Sequence, residues 1–280
     1  MTRVPNRTAS LAALLVAGLG CALVLALTGS SRSPTAAGPS YVLMQMNLCL
    51  SGLAGCYGNA YPAVVEEAVA RIREARPDAA TVNEACRSDV TRIARRTGYH
   101  LRFSRVIYRG ERLRCVRPAG RGLFGDAVLT KVGIESTDNQ DFEAQAGLER
   151  RRWLCVTTRA DLDVCTAHLN TRSTTEVAGN DAQCAELAAL LARRAAARSV
   201  AFGGDVNRRD SCAPDGAWTR TDRSADQAPG LQHVYGSGAL RSPSAEVVPA
   251  THTDHDFLLV RSHLVPIGHV RSPFTKRERR

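Results

Sequence analysis

Short apolar, β-prone blocks recur along the chain at residues 41–46, 79–82, 126–130, 153–158, 162–167, 199–202, 233–235 and 256–260. Blocks of this length, bounded by Gly, Pro, Asp and Asn, predict strands. Between them the period lengthens. Val64, Val65, Ala68, Val69 and Ile72 repeat at helical spacing and stop before Pro77. A shorter helix over 89–97 ends at Gly98, a residue suited to a left-handed stop. Asn180 and Gln183, three apart, read as a capping box that opens an Ala/Leu-rich helix ending near Arg198. Strands interspersed with helices and hairpins predict a mixed α/β or α+β domain. No repeat and no linker is evident after Ser40, so one domain is expected.

Residues 11–27 break this pattern, being apolar, free of charge and preceded by Arg3 and Arg7. That is the composition of a targeting segment. The small residues Thr35, Ala36 and Ala37 form a cleavage site before Gly38. The same run approaches the length of a spanning helix, so two outcomes stay open: a secreted protein, or one attached to the membrane through residues 11–27 with its domain outside. A lipoprotein reading of Cys21 is disfavoured, because Gly18-Leu19-Gly20 is a poor context and the apolar run continues beyond it. The expected organisation is a leader and short linker over 1–37, a domain over 38–266 and a basic tail over 267–280.

Removing the leader takes Cys21 out of the nine cysteines and leaves Cys49, Cys56, Cys86, Cys115, Cys155, Cys165, Cys184 and Cys212. An even set in an exported chain predicts disulfides, and the lack of Cys-x-x-Cys spacing argues against zinc. Cys155 and Cys165 fall on two strands around Arg159-Ala160-Asp161, which places them opposite one another at the short separation a disulfide tolerates. The short intervening loop suggests Cys49 with Cys56. Nearest neighbours in sequence then suggest Cys86 with Cys115 and Cys184 with Cys212.

The formal net charge of +10 favours polyanionic partners, nucleic acid among them, although arginine spread along the chain is equally a solubility device. Arg117, Arg121, Arg150, Arg151 and Arg152 fall in loops or strand entrances where they could meet phosphates. No protein partner is evident.

More informative is where polar residues fall, because nearly every β-prone block ends in a carboxylate, amide or imidazole. Met44-Gln45-Met46 ends in Asn47, and Thr81-Val82-Asn83 in Glu84. Cys165-Thr166-Ala167 is followed by His168, and Ala201-Phe202-Gly203-Gly204 by Asp205-Val206-Asn207. Thr253-Asp254-His255 leads into the last block. Converging at one sheet edge, these ends would build a site whose oxygens suit Mg²⁺, Mn²⁺ or Ca²⁺ and whose imidazoles serve proton transfer or phosphate contact.

In this order the motifs resemble the endonuclease/exonuclease/phosphatase superfamily, over about residues 41–263. Met46-Asn47 resembles its opening strand, Val82-Asn83-Glu84 the strand with its metal-binding glutamate, and Phe124-Gly125-Asp126-Ala127-Val128-Leu129 its Gly-x-Ala-x-Leu strand. Cys165-Thr166-Ala167-His168-Leu169 is similar to the histidine motif of the deoxyribonuclease branch. Gly204-Asp205-Val206-Asn207 is similar to Gly-Asp-x-Asn, and Thr253-Asp254-His255 stands where the family has Ser-Asp-His. The resemblance implies an α+β fold, a four-layer sandwich of two packed mixed sheets flanked by helices. It implies hydrolysis of a phosphodiester by in-line attack of water. Asn47, Glu84 and Asp254 would hold the cation, Mg²⁺ first. Asp205 would orient or deprotonate the water, Asn207 and His168 would contact the phosphate, and His255 would transfer a proton or stabilise the transition state; the base and the acid among Asp205, His168 and His255 stay unassigned.

One departure stands out. The family carries an aspartate on the strand before the last motif, where it orients the histidine; Leu231-Gln232-His233-Val234-Tyr235 offers Gln232. Its carbonyl can accept an imidazole N–H but brings no charge. Asp256 could compensate, although strand alternation points it to the other face. The substrate expectation is nucleic acid, cut by an endonuclease acting on DNA or RNA. A phospholipid or sphingolipid phosphoesterase is the alternative, and a catalytically weakened secreted binding protein is the second.

Overall fold

The computed structural model describes residues 38–53, 55–56, 61–223 and 230–265. The leader expected over residues 1–37, with Cys21, and the basic tail over 267–280 lie outside the described residues. In chain order the elements are β1 (Ser40–Asn47), α1 (Ala63–Ala75), β2 (Ala79–Cys86), α2 (Arg87–Thr97), β3 (His100–Arg105), β4 (Ile107–Tyr108), β5 (Glu111–Arg112), β6 (Phe124–Thr130), β7 (Ile134–Asp141), β8 (Glu149–Arg150), β9 (Arg152–Thr158), β10 (Leu162–Ala167), α3 (Val177–Ala195), β11 (Ser199–Asp205), β12 (Trp218–Thr221), β13 (Gln232–Gly236), β14 (Leu240–Val248) and β15 (Phe257–Leu264).

Two six-stranded sheets carry the domain, ordered β14-β15-β1-β2-β6-β3 and β12-β13-β11-β10-β9-β7, with a small third sheet β5-β4-β8. Both large sheets are mixed in the same way. Their central pairs, β1 with β2 and β10 with β11, are parallel, and every outer pairing is antiparallel.

Period-two alternation divides each strand between two layers. In β1, Met44 and Met46 face outward to pack with Val65, Val69 and Ile72 of α1 and Val90 and Ile93 of α2. Leu43 faces inward, joining Val128, Val156, Val164, Ala201, Val234 and Leu258 between the sheets. On the far side Val200, Phe202 and Tyr235 meet Leu187, Leu190 and Leu191 of α3. The result is the helix, sheet, sheet, helix order of a four-layer sandwich. Gly203 lies at a close approach of the sheets, because a Cβ there would come 2.2 Å from Thr81 Oγ1.

Two helix ends follow the sequence reading: α1 stops at a left-handed Arg76 before Pro77, and α2 at Gly98 with φ 79°. The capping box at Asn180 and Gln183 is corrected. α3 begins at Val177, with Glu176 as its N-cap residue, so both amides lie within the helix and are buried. Asn180 Nδ2 donates to Asn170 O at 2.6 Å and Val206 O at 2.9 Å, while Gln183 Oε1 accepts from Asn170 N at 2.9 Å. The pair secures the segments that follow β10 and β11.

Disulfides join Cys49 to Cys56, Cys86 to Cys115, Cys155 to Cys165 and Cys184 to Cys212, with Cα separations of 5.0, 6.1, 4.0 and 5.1 Å. Cys155 and Cys165 are register partners on β9 and β10. Cys184 and Cys212 fasten α3 to the segment after β11, closing a separation of 28 residues. Replacing both by serine is expected to lower the unfolding free energy by about 3–4 kcal/mol, the chain-entropy value for such a loop. Urea unfolding checks this; a midpoint equal to that of the parent protein would show that the bridge stabilises nothing.

Candidate active site

The C-terminal ends of β1, β2, β10 and β11 meet at one edge of the sandwich. Asn47 closes β1, Glu84 lies near the end of β2, His168 follows β10, and Asp205 closes β11 with Asn207 two residues on. His255 enters from the opposite direction, just before β15. These six residues converge.

Glu84 reaches the site through a β-bulge. Register between β2 and β6 shifts between Val82 and Ala85, and both of those residues pack toward the outer helices. Asn83 and Glu84 therefore share one pleat and turn inward together, with Glu84 at φ 54°. Cys49 at φ 45° and Asn207 at φ 52° are also left-handed, so three non-glycine residues at this edge adopt a conformation costly to side chains.

Asn47 Nδ2 donates to Asp205 Oδ2 at 3.1 Å and to Glu84 Oε1 at 3.3 Å, placing the two carboxylates on either side of one amide. Its Oδ1 accepts from Cys49 N at 3.1 Å. The other oxygen of Asp205 accepts from Asn207 N at 2.9 Å. His168 Nε2 lies 3.0 Å from Asn207 Nδ2 and 3.7 Å from Glu84 Oε1. His255 Nε2 lies 3.7 Å from Asp205 Oδ2. Burial, and then the charge of Asp205, push the Glu84 carboxyl up to about 7. Burial, with the charges of Arg151 and His255, holds His168 well below the ordinary imidazole range. His168 is thus a neutral ring that can share hydrogen bonds but does not store a proton near neutrality. Cys56 Sγ touches Glu84 Oε2 at 3.2 Å, and as half of a disulfide it offers no thiolate to a metal.

Glu84, His168, Asp205, Asn207 and His255 line a cavity of about 720 Å³ together with Arg151 and an apolar wall of Leu53, Leu113, Phe124 and Leu231, with Tyr108 and Arg109 beside them. The arginines expected to meet phosphates separate. Arg151 is buried in the cavity wall, 2.7 Å from Glu149 Oε1. Arg150 and Arg152 pair with Asp141. Arg121 is corrected to a structural residue: it is buried, salt-bridged to Asp89 Oδ2 at 2.8 Å, and donates to Leu50 O, Arg117 O and Pro118 O. Its guanidinium has no face left for a phosphate. Asp254 is exposed and does not line the cavity, although Thr253 Oγ1 beside it donates to Asn47 O at 3.0 Å.

Gln232 also departs from expectation. Its Oε1 accepts from Gln45 Nε2 at 3.3 Å, while its Nε2 donates to Asp222 Oδ2 at 3.2 Å and Asp256 O at 2.6 Å. His255 Nδ1 is buried and, among the described residues, has no hydrogen-bond partner. Asp256 points away as alternation requires, accepting from Ala250 N at 2.9 Å.

The sequence model of the endonuclease/exonuclease/phosphatase family matches residues 44–255, from β1 through His255. The chain belongs to the endonuclease/exonuclease/phosphatase family. The solved structures of similar fold agree. The catalytic domain of human Nocturnin with bound sulfate superposes with a TM-score of 0.62 at 15% identity, covering 81% of this chain and 94% of that one. An endonuclease/exonuclease/phosphatase from Beutenbergia cavernae gives 0.60 at 18%, covering 80% and 72%. TDP2 of D. rerio, complexed with a single-strand DNA product, gives 0.54 at 14%, covering 80% and 98%. No curated protein matches the sequence.

Members of the endonuclease/exonuclease/phosphatase family are phosphoric ester hydrolases that generally use divalent cations. The donor set here fits one. Glu84 and Asp205 are like-charged, enclosed and bridged by the Asn47 amide, an oxygen-rich cluster whose repulsion a hard cation would relieve. Sequence reasoning did not single out Asn83, Gln45, Thr81, Asp126 or Asp222, all buried polar residues behind this cluster. The signal was present as polar side chains at inward positions of core strands.

A cation held by Glu84 would compete with a proton for the same carboxylate. Because the carboxyl is pushed up to about 7, Mg²⁺ affinity should fall as pH drops from 8 to 6 and level off above 8. The expected decrease approaches about tenfold per pH unit below 7. Calorimetric titration of Mg²⁺ at pH 6 and 8 checks the sign, and Glu84→Gln should abolish the pH dependence.

Proposed function

We propose that the protein is an exported, divalent-metal-dependent nuclease that hydrolyses phosphodiester bonds of DNA or RNA by in-line attack of water. The observation that carries this reading is the convergence of Glu84, His168, Asp205, Asn207 and His255 on one cavity, with Asn47 bridging the two carboxylates. Four disulfides support folding in an oxidising compartment, hence export. The net charge of +10 and Arg151 in the cavity wall support a polyanionic substrate, and TDP2, a neighbour in fold, is recorded with single-strand DNA product.

Glu84 and Asn47 would hold the cation, with Asp254 able to join only from the rim. The ion would supply charge stabilisation at the phosphate oxygens. Asp205 is oriented at both oxygens, by Asn207 N and Asn47 Nδ2, and accepts the proton of the attacking water. Asn207 Nδ2 and the neutral His168 ring position the phosphate. His255, facing Asp205 Oδ2 through Nε2, serves the proton transfer that His168 does not.

A second reading within the family is favoured by the wall of Leu53, Leu113, Phe124 and Leu231: a phosphodiester with a bulky apolar group. The completeness of the polar cluster speaks against a binding protein that has lost catalysis.

The purified protein with Mg²⁺ is expected to release soluble fragments from double-stranded DNA. EDTA or Glu84→Ala should remove the activity by about 10³-fold or more, since cation charge stabilisation amounts to several kcal/mol. His255→Ala should keep nucleic-acid affinity and lose hydrolysis. Intact DNA and RNA alongside turnover of bis(p-nitrophenyl) phosphate would overturn the nuclease reading and favour the second.

A further inference from the structure

His255 is half explained by the catalytic cluster. Its Nε2 faces Asp205, while Nδ1 on the opposite side of the ring is enclosed without a partner among the described residues. A buried imidazole nitrogen left unpaired is costly, and the group opposite Nδ1 decides which nitrogen carries the proton.

Within electrostatic reach of His255 lies a carboxylate that the reaction as described does not use. Asp222 directly follows β12 and is fully enclosed. Thr221 pairs in register with His233, which sets Asp222 beside Gln232. The two residues are locked together: Asp222 N donates to Gln232 O at 3.1 Å, Gln232 N to Asp222 Oδ1 at 3.1 Å, and Gln232 Nε2 to Asp222 Oδ2 at 3.2 Å. The same Nε2 donates to the carbonyl of Asp256, the residue after His255. One amide therefore separates the Asp222 carboxylate from the carbonyl of the residue that follows His255. The charges of Asp205 and His255 both act on Asp222, in opposite directions, as expected for a group on the same side of the site. A buried carboxylate with an amide for its partner would be costly to keep if it only held strand ends together, since a neutral pair would do so at less desolvation cost.

We propose that Asp222 is the positioning residue for His255: the carboxylate that β13 lacks at Gln232 is supplied from the end of β12, with the Gln232 amide as the spacer between them. Asp222 makes Gln232 point its NH₂ toward the two acceptors, Asp222 Oδ2 and Asp256 O, which fixes the backbone one residue beyond His255. Its negative charge would oppose that of Asp205, 3.7 Å from Nε2, and draw the proton to Nδ1, leaving Nε2 free to accept one.

This rests on the phosphodiesterase reading for its kinetic arm and on none for its spectroscopic arm. With Mg²⁺ and bis(p-nitrophenyl) phosphate, Asp222→Asn is expected to lower kcat by about 10- to 100-fold with KM nearly unchanged, the range for losing a group that orients a functional imidazole. Adding Gln232→Asp in the same chain should recover most of that loss, because it returns a carboxylate to β13. A purely structural role for Asp222 would give no recovery. In ¹⁵N-histidine-labelled protein, the His255 resonance should report a proton on Nδ1 in the parent and move toward the Nε2–H tautomer in Asp222→Asn. Parental kcat in Asp222→Asn, a double variant no faster than the single, or an unchanged tautomer would each overturn the assignment. If the parent turns over no phosphodiester, the nuclease reading fails, and the tautomer measurement alone decides the positioning role.

Discussion

Asn83 Oδ1 accepts two hydrogen bonds, from Gln45 Nε2 at 2.7 Å in its own sheet and from Asp205 N at 2.8 Å in the other. Its Nδ2 donates to Asp126 Oδ1 at 2.9 Å and reaches Thr166 Oγ1 at 3.4 Å. One amide thus touches β1, β6, β10 and β11 from β2. Apolar packing between sheets is tolerant of small slides, whereas a hydrogen bond weakens steeply with misalignment. The apolar layer of Leu43, Val164, Ala201 and Val234 brings the sheets together; Asn83 fixes where Asp205 stands relative to Glu84. The geometry of the candidate site depends on that knot.

Such a seam is expensive. Burial pushes the Asp126 carboxyl up to about 7, beside the Glu84 carboxyl at a similar value, so the protein holds two acids that change charge near neutrality. Asp126 keeps Asn83 as its donor, and Asn47 lies between Glu84 and Asp205. Amides are the common solution, because one amide can serve a donor and an acceptor at once without adding charge. Gln45 extends the pattern, accepting from Thr81 Oγ1 at 2.6 Å and donating to Asn83 and Gln232. The cluster behind the cavity is therefore a continuous polar network within an apolar sandwich, and networks of this kind specify alignment when every member is satisfied.

The central strands were legible in the sequence and the edges were not. β1, β2, β6, β9, β10, β11, β13 and β15 are flanked on both sides within their sheets, and their apolar runs announce them. The four edges of the two large sheets, β3, β7, β12 and β14, escaped, as did the short strands of the third. β7 reads Ile-Glu-Ser-Thr-Asp-Asn-Gln-Asp and is mostly exposed, and β14 carries Pro243 at a register shift. Edge strands are kept polar or irregular because their unpaired backbone invites association, and this erases the alternation that would reveal them. At the site, polar residues ending apolar strands were readable one by one. Asn83 and Asp222 were not, because a polar residue inside a strand carries no sign of what it meets across the sandwich. The Asn180 and Gln183 spacing misled for the same reason: a capping pair and a loop-securing pair look alike until burial is known.

Both sheets repeat one pattern of strand senses, and their parallel pairs deliver their ends to the same edge. The polar site is consequently assembled from halves: Asn47 and Glu84 from one sheet, His168, Asp205 and Asn207 from the other. A slip of one sheet against its partner by a single residue, about 3.3 Å, would leave each half intact and separate the carboxylate from the imidazole and amide it works with. Turnover by the proposed phosphodiesterase would in that sense be a gauge of interlayer alignment, sensitive to shear that leaves secondary structure and core burial almost unchanged.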